Sequence, residues 1–120
     1  MKKVIATSEA PKAVGPYSQA IEVNGTLYIS GQIPVNPADG TVQEEITAAA
    51  HQSLKNIGAI LREAGMTYDN VVKTTVLLAD IADFKAVNEV YAEYFTGDKP
   101  ARACYQAAAL PLGVKVEIVY

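Results

Sequence analysis

The sequence predicts a single α+β domain in which two helices pack on one face of a mixed β-sheet. Three observations support this prediction. The hydrophobic patterns follow the order β-β-β-α-β-α-β-β along the chain. The length of 120 residues suits one hydrophobic core. Half of the residues are hydrophobic and 19% are charged, a balance typical of globular proteins. The predicted domain spans residues 1–120.

The first third of the chain carries three short strand patterns. These are residues 4–6, 20–23 and 26–30. Asn24 and Gly25 separate the second from the third pattern, and this dipeptide between apolar runs is a strong hairpin signal. Residues 9–18 and 34–40 contain proline and glycine and are therefore predicted to be loops.

Two later segments have the period of amphipathic helices. In residues 43–64, apolar side chains recur every three or four positions, and Gly65 is suited to end the helix. Residues 80–95 return to this spacing, and either Asp80 or Asp83 can cap the start of that helix.

Three further strands complete the predicted sheet, at residues 71–79, 101–108 and 114–120. We expect the last two to be neighbours across a turn, so that Glu117 falls within a pair or two of Cys104, in a register that the turn does not fix. Two helices cover only one face of such a sheet. The other face still carries apolar side chains, which predicts a homo-oligomer.

Composition excludes several classes of protein. Ten basic residues against thirteen acidic ones give a net charge of −3, and the basic residues are scattered, so no nucleic-acid footprint is expected. The apolar runs are too short for a membrane span. A single cysteine cannot form an internal disulfide or a multi-cysteine metal site. We therefore expect a cytoplasmic protein without a metal.

Arg102, Cys104 and Glu117 are the main candidates for chemistry. Strand alternation places Arg102 and Cys104 on one face. A guanidinium matches the geometry of a carboxylate, and a partly buried Glu117 would have a raised pKa suited to proton transfer. The plain alternative is a salt bridge between Arg102 and Glu117. His51, the single histidine, lies in the first helix, so no Cys–His pair is predicted.

Four other residues have both a functional and a structural interpretation. Tyr17 follows the rigid Gly-Pro turn and would lie over a pocket or simply pack. Ser30 and Gly31 end a strand, where a glycine lets a ligand approach the backbone or marks a bulge. Asn88 lies one helical turn from two aromatic residues and faces a pocket or the edge of the helix.

Five segments of the chain together resemble the Rid family, the reactive enamine/imine deaminases. They are Gly-Pro-Tyr-Ser-Gln-Ala at 15–20, Ser-Gly-Gln at 30–32, Val-Asn-Glu-Val-Tyr at 87–91, Pro-Ala-Arg-Ala-Cys at 100–104 and Val-Glu-Ile at 116–118. The resemblance covers nearly the whole chain. The chain stops three residues after Glu117, earlier than the family pattern, which predicts a frayed last strand.

The resemblance implies a chorismate-mutase-like fold and a homotrimer with a central barrel of three sheets, with helices outside and clefts between subunits. It also implies hydrolysis of 2-iminobutanoate and 2-iminopropanoate to 2-oxo acids and ammonia, without a cofactor.

The resemblance further implies roles for single residues. Arg102 and the backbone N–H of Cys104 would bind the substrate carboxylate, and Glu117 would position water and move protons. The cleft would be lined by Tyr17, Ser30, Gly31 and Asn88, some of them from the neighbouring subunit.

Two other functions remain open at this stage. A sensor that binds small carboxylates without catalysis would use the same Arg102 pocket. An endoribonuclease or translation inhibitor is a role of some relatives, but the acidic balance and the single histidine count against it.

Overall fold

The computed structural model describes residues 2–119 and confirms the predicted α+β class and order of elements. The strands are β1 Lys3–Ile5, β2 Ala20–Val23, β3 Thr26–Ile29, β4 Lys73–Leu78, β5 Ala101–Gln106 and β6 Val116–Val119; the helices are α1 Ile46–Glu63 and α2 Phe84–Tyr94. Most elements are a few residues shorter than predicted. The last residue of the predicted final strand, Tyr120, lies outside the described residues.

The first sheet has the order β1-β2-β3 and is antiparallel throughout. Asn24 and Gly25 connect β2 to β3 with φ angles of 50° and 78°. Positive φ at both positions is the requirement of a type I′ turn, whose twist suits a two-residue hairpin. The hairpin prediction is therefore confirmed in its local geometry.

The start of α1 and the 3₁₀ turn before α2 have side-chain caps, whereas Asp83, the N-cap of α2 itself, makes no side-chain cap hydrogen bond. The Glu45 carboxylate accepts a hydrogen bond of 2.8 Å from the Ala48 N–H at the start of α1. Gly65, with φ of 75°, follows the end of α1, as predicted. Asp80 accepts a hydrogen bond of 2.9 Å from the Ala82 N–H and caps a short 3₁₀ turn, Ile81–Asp83, that leads into α2.

The second sheet has the order β5-β4-β6, so the prediction that β5 and β6 are neighbours is wrong. β4 lies between them, parallel to β5 and antiparallel to β6. Leu77 of β4 pairs with Tyr105 on one side and with Glu117 on the other. The turn before β6 therefore crosses the end of β4, whose alternate residues Thr74, Val76 and Leu78 are buried under the helices.

Among residues 2–119, a single bridge joins the two sheets, in which Gln32 and Ile118 exchange backbone hydrogen bonds of 2.8 and 3.1 Å. Ile29 and Gln32 are both buried although they are three residues apart. Regular alternation would put them on opposite faces, so the chain makes a bulge-like irregularity at Ser30 and Gly31. The structural interpretation of these two residues is thereby supported.

The two helices cover one face of the paired sheets. The core between them includes Leu54, Ile57, Ile60, Val76 and Ile118, all fully buried. On the other face, Tyr28 is 60% exposed and Tyr105 is 53% exposed, and the described residues form no closed barrel. Among residues 2–119, no helix combines the length and the apolar character that a bilayer crossing requires.

Candidate functional site

Arg102 lies on the edge strand β5 and extends along α2. Its Nη1 donates a hydrogen bond of 2.7 Å to Asn88 Oδ1. Its guanidinium carbon lies 4.9 Å from the ring centroid of Tyr91 and 5.5 Å from that of Phe84. Two rings and one amide therefore fix the guanidinium, while the residue stays exposed and its other N–H groups can bind an anion.

A buried hydrogen bond holds the Tyr91 ring in its place beside Arg102. The Tyr91 hydroxyl lies 2.8 Å from Thr74 Oγ1 of β4, and both residues are buried. Burial raises the pKa of Tyr91, which keeps the phenol neutral. The ring that lies under Arg102 is thus anchored to the sheet.

Cys104 offers a backbone donor rather than a nucleophile. Burial raises the pKa of the Cys104 thiol, more than the nearby Arg102 lowers it, so the thiol stays protonated near neutral pH. The Ala101 N–H donates a hydrogen bond to the Val72 carbonyl oxygen, and the Ala107 N–H donates one to the Leu78 carbonyl oxygen. Odd-numbered residues of β5 thus bond to β4, and the N–H of Cys104 points to the open edge of the sheet.

The Glu117 side chain packs against Gly31, and both residues line a cavity of about 340 Å³. A Cβ atom on residue 31 would stand 2.8 Å from Cδ and 3.1 Å from Cγ of Glu117, so only glycine leaves room for this side chain. Burial raises the pKa of Glu117. Among residues 2–119, no side chain or backbone group forms a hydrogen bond or ion pair with its carboxylate.

The cavity is also lined by Val14, Tyr17, Ser30, Ile33 and Pro111. The Tyr17 hydroxyl accepts a hydrogen bond of 3.4 Å from the Val14 N–H, and the ring is half exposed. The Ser30 hydroxyl donates to the Ser18 carbonyl oxygen at 2.6 Å, so it orders the loop. Tyr17 and Ser30 therefore shape the wall around Glu117.

The predicted site residues form two groups that lie on opposite faces of the second sheet. Arg102 and Cys104 pair with Thr74 and Val76, which are buried under the helices. Glu117 pairs with Leu77, whose side chain points to the other face. We call Asn88, Arg102 and Cys104 the arginine group, and Tyr17, Ser30, Gly31 and Glu117 the glutamate group.

This separation rules out the salt bridge between Arg102 and Glu117 within one chain. Arg102 instead binds Asn88, and neither residue lines the cavity of Glu117. The expected proximity of Cys104 to Glu117 is wrong for the same reason, because β4 separates their strands.

Sequence reasoning missed two buried amides that position the glutamate group. Gln19 accepts a hydrogen bond of 2.7 Å from the Thr7 N–H and donates one of 2.8 Å to the Pro11 carbonyl oxygen, so it folds the loop that carries Tyr17. Asn56 of α1 donates to the carbonyl oxygens of Ile33 and Val35, at 3.1 and 3.0 Å. The only available signal was a polar residue beside an apolar stripe.

His51 takes no part in either group. Its Nδ1 lies 2.8 Å from the Tyr94 hydroxyl, and its Nε2 lies 3.9 Å from the Glu93 carboxylate. Within residues 2–119, no three acidic, histidine or cysteine side chains form a cluster able to hold a metal ion.

Fold and site define a class of small α+β proteins in which two helices cover one face of paired mixed sheets. Comparisons with known proteins agree. The family described as Endoribonuclease L-PSP matches residues 7–120. A 2-iminobutanoate/2-iminopropanoate deaminase of Mus musculus is 56% identical over 119 residues, which cover 98% of this chain and 88% of the relative.

Two solved structures extend the likeness to three dimensions. The Rid protein YyfA of Yersinia pestis is 50% identical, with a TM-score of 0.97 over 99% of this chain and 96% of the other. TdcF of E. coli, solved with bound serine, is 40% identical, with a TM-score of 0.95 over 98% and 94% of the two chains. This chain therefore belongs to the Rid family, also described as Endoribonuclease L-PSP.

Proposed function

We propose that this protein is a 2-iminobutanoate/2-iminopropanoate deaminase, which hydrolyses reactive 2-imino acids to 2-oxo acids and ammonia. One observation carries the proposal: Arg102 is fixed yet open to an anion, while no group among residues 2–119 pairs with the Glu117 carboxyl, whose pKa is raised by burial. The name of the relative from Mus musculus supports the same reaction. The serine bound to TdcF supports a site for small amino-acid-like molecules.

We further propose that two copies of the chain form each site. A short imino acid is too small to reach Arg102 and Glu117 of one chain, because they lie on opposite faces of a sheet with β4 between their strands. The arginine group of one copy and the glutamate group of the next would then share a cleft. A homotrimer with its exposed sheet faces turned inward, forming a central barrel, is the assembly we propose.

The proposed chemistry needs few groups. Arg102 and the N–H of Cys104 bind the substrate carboxylate, which places the imine carbon near the Glu117 of the neighbouring copy. Glu117 accepts a proton from water as the water oxygen bonds to that carbon, and then returns a proton to the nitrogen. The hydroxyl proton of this adduct is then transferred to the nitrogen as the C–N bond breaks, so ammonia leaves and the oxygen remains as the keto group of the 2-oxo acid. Water is the only co-reactant.

The experiment is a coupled assay in which a threonine dehydratase releases the imine and semicarbazide traps what has not been hydrolysed. We expect the protein to suppress semicarbazone formation, and Arg102→Ala to lose at least about a hundredfold of this effect. Arg62→Ala is the matched control, because Arg62 is exposed and makes only a long ion pair of 3.8 Å with Glu9. Equal turnover by wild type and Arg102→Ala would contradict the proposal.

The same assay separates the enzyme from a carboxylate sensor. A sensor would bind 2-oxobutanoate in calorimetry without changing semicarbazone formation. The cytoplasmic location, the single domain and the lack of nucleic-acid partners stay predictions from the sequence.

A further inference from the structure

The three side chains that hold Arg102 differ in how firmly they are held themselves. Phe84, Asn88 and Tyr91 lie on one face of α2, and each contacts the guanidinium. Phe84 is 39% exposed and Asn88 is half-buried, whereas Tyr91 is buried. Of these three contacts, Tyr91 is therefore the one whose position the packed core determines.

Two contacts fix the Tyr91 ring. Its centroid lies 4.6 Å from that of the buried Phe95 ring. Its hydroxyl lies 2.8 Å from Thr74 Oγ1, and within residues 2–119 neither hydroxyl forms another hydrogen bond. Without the Thr74 hydroxyl, the buried phenol would lack a partner, which favours a shift of the ring toward water.

Thr74 is also the neighbour of Arg102 across the sheet. The two residues pair in the parallel register of β4 and β5, so their side chains point to the same face. Thr74, Tyr91 and Arg102 thus form a closed triangle. The sheet joins Thr74 to Arg102, a hydrogen bond joins Thr74 to Tyr91, and the Tyr91 ring contacts the guanidinium. A shift of the Tyr91 ring therefore moves the surface on which the guanidinium lies.

We propose that Thr74 and Tyr91 are positioning residues for Arg102, and that the hydrogen bond between their hydroxyl groups sets the affinity of Arg102 for a carboxylate. The inference rests on the proposed function, in which that carboxylate belongs to the 2-imino acid. Both residues are buried, so their hydroxyls act on the substrate through the guanidinium.

A guanidinium without this support is free to move, and ordering it again at each binding event costs affinity. The contact between Arg102 and the carboxylate is the same in the bound substrate and in the transition state. Loss of the support should therefore raise KM and leave kcat close to its wild-type value.

The test removes each hydroxyl with little change of shape, in Thr74→Val and in Tyr91→Phe. Calorimetry on the full-length protein in its native assembly measures the binding of 2-oxobutanoate, and we expect Kd to rise at least about fivefold in each variant. The double variant should bind within about twofold of the weaker single variant, because both changes remove the same hydrogen bond. Thr74→Ser keeps the hydroxyl and should bind within about twofold of wild type.

Tyr68→Phe is the matched control for a general loss of stability. The Tyr68 hydroxyl donates a hydrogen bond of 2.5 Å to the Leu54 carbonyl oxygen, away from Arg102. Its loss should lower the melting temperature, as in Tyr91→Phe, but leave the Kd of 2-oxobutanoate and KM unchanged. If Tyr68→Phe raised Kd as much as Tyr91→Phe does, the proposal would be overturned, because lost stability would account for both effects.

A second measurement does not depend on turnover. Nitrogen-15 NMR of the Arg102 side chain follows rotation of the guanidinium, which should be faster in Thr74→Val than in wild type and Thr74→Ser. If this holds in a protein that does not suppress semicarbazone formation, the deaminase assignment fails and the positioning of Arg102 stands. If the protein is an active deaminase but Kd, KM and guanidinium rotation are unchanged in Thr74→Val and Tyr91→Phe, the positioning proposal is overturned and the proposed function stands.

Discussion

Gly31 is the residue whose replacement separates activity from stability most cleanly. In Gly31→Ala, the added Cβ would stand 2.8 Å from Cδ of Glu117, so the carboxylate must move. The side chain is flexible and can rotate away, so unfolding free energy should change by less than about 1 kcal/mol. The value of kcat/KM should fall by at least about tenfold, because the proposed proton-transfer group is displaced.

The matched control for this prediction is Gly97→Ala. A Cβ there would meet Asp69 Oδ1 at 3.6 Å, an ordinary contact. Steady-state kinetics and urea unfolding of both variants check the prediction. Equal kcat/KM in Gly31→Ala and Gly97→Ala would remove Glu117 from the proposed chemistry.

Glu117 itself should make the protein less stable at neutral pH. Burial raises the pKa of Glu117 in the folded state, so folding favours the protonated form. The stability contributed by that proton is present below the ordinary value of 4.5 and is lost as the pH rises through the folded pKa. Glu117→Gln, which cannot ionise, should therefore unfold at a higher temperature than wild type at pH 7 but lose activity.

The pH dependence decides whether ionisation is the cause. The gain in melting temperature should shrink well below pH 4.5, where wild-type Glu117 is protonated as well. Glu44→Gln, on an exposed residue, is the control. A gain in melting temperature of equal size at pH 7 and well below pH 4.5 would show that the amide stabilises the fold for a reason other than ionisation.

The sequence singled out the candidate site residues, whose roles stay predictions, but it did not predict how they are arranged. An arginine in an apolar strand and a glutamate in another were visible as unusual residues, and the resemblance connected them. Their placement on opposite faces was not predictable, because it depends on β4 lying between β5 and β6. No local sequence feature distinguishes the order β5-β4-β6 from a hairpin of β5 and β6, since both arrangements satisfy the same alternation of side chains.

Among the elements, α1 does more than cover the sheet. Its Asn56 is buried and holds the Ile33 and Val35 carbonyl groups, and Ile33 lines the cavity of Glu117. Asn56→Ala should destabilise the fold by about 1–3 kcal/mol, because two carbonyl groups lose a donor. It should also change KM, because the wall of the cavity loosens.

Lys55→Ala, one position away on the exposed side of α1, is the control for Asn56→Ala. Thermal unfolding and steady-state kinetics provide both readouts. If Asn56→Ala lowered the melting temperature and left KM unchanged, its role would be confined to stability.

The helices and the hairpin were predictable because their signals are local. Apolar spacing, Gly65 and the Asn24-Gly25 turn fix α1 and the β2–β3 hairpin from short stretches of chain. The 3₁₀ turn Tyr68–Asn70 was not predicted. The Thr67 side chain caps it, and the Thr67 N–H donates a hydrogen bond of 2.9 Å to Asn70 Oδ1. Such polar residues are equally typical of a loop.

For the whole molecule, the exposed sheet face is the feature that calls for further copies. Tyr105 is 53% exposed on this face beside the edge of the sheet. Tyr105→Glu should dissociate the proposed trimer and abolish turnover together, because each proposed site needs two copies. Analytical ultracentrifugation at micromolar concentration measures the assembly, and Glu89→Ala on the exposed side of α2 is the control. A fully active monomer would contradict the shared site.

The central claim is that Arg102 and Glu117 of different copies act on one substrate molecule. Its most direct test mixes two inactive variants, Arg102→Ala and Glu117→Gln, in equal amounts under conditions that exchange subunits, with exchange confirmed by native mass spectrometry. Random mixing gives clefts with both residues intact at roughly a quarter of all positions, so about a quarter of the wild-type deaminase activity should return. Complete exchange without any return of activity would contradict the account.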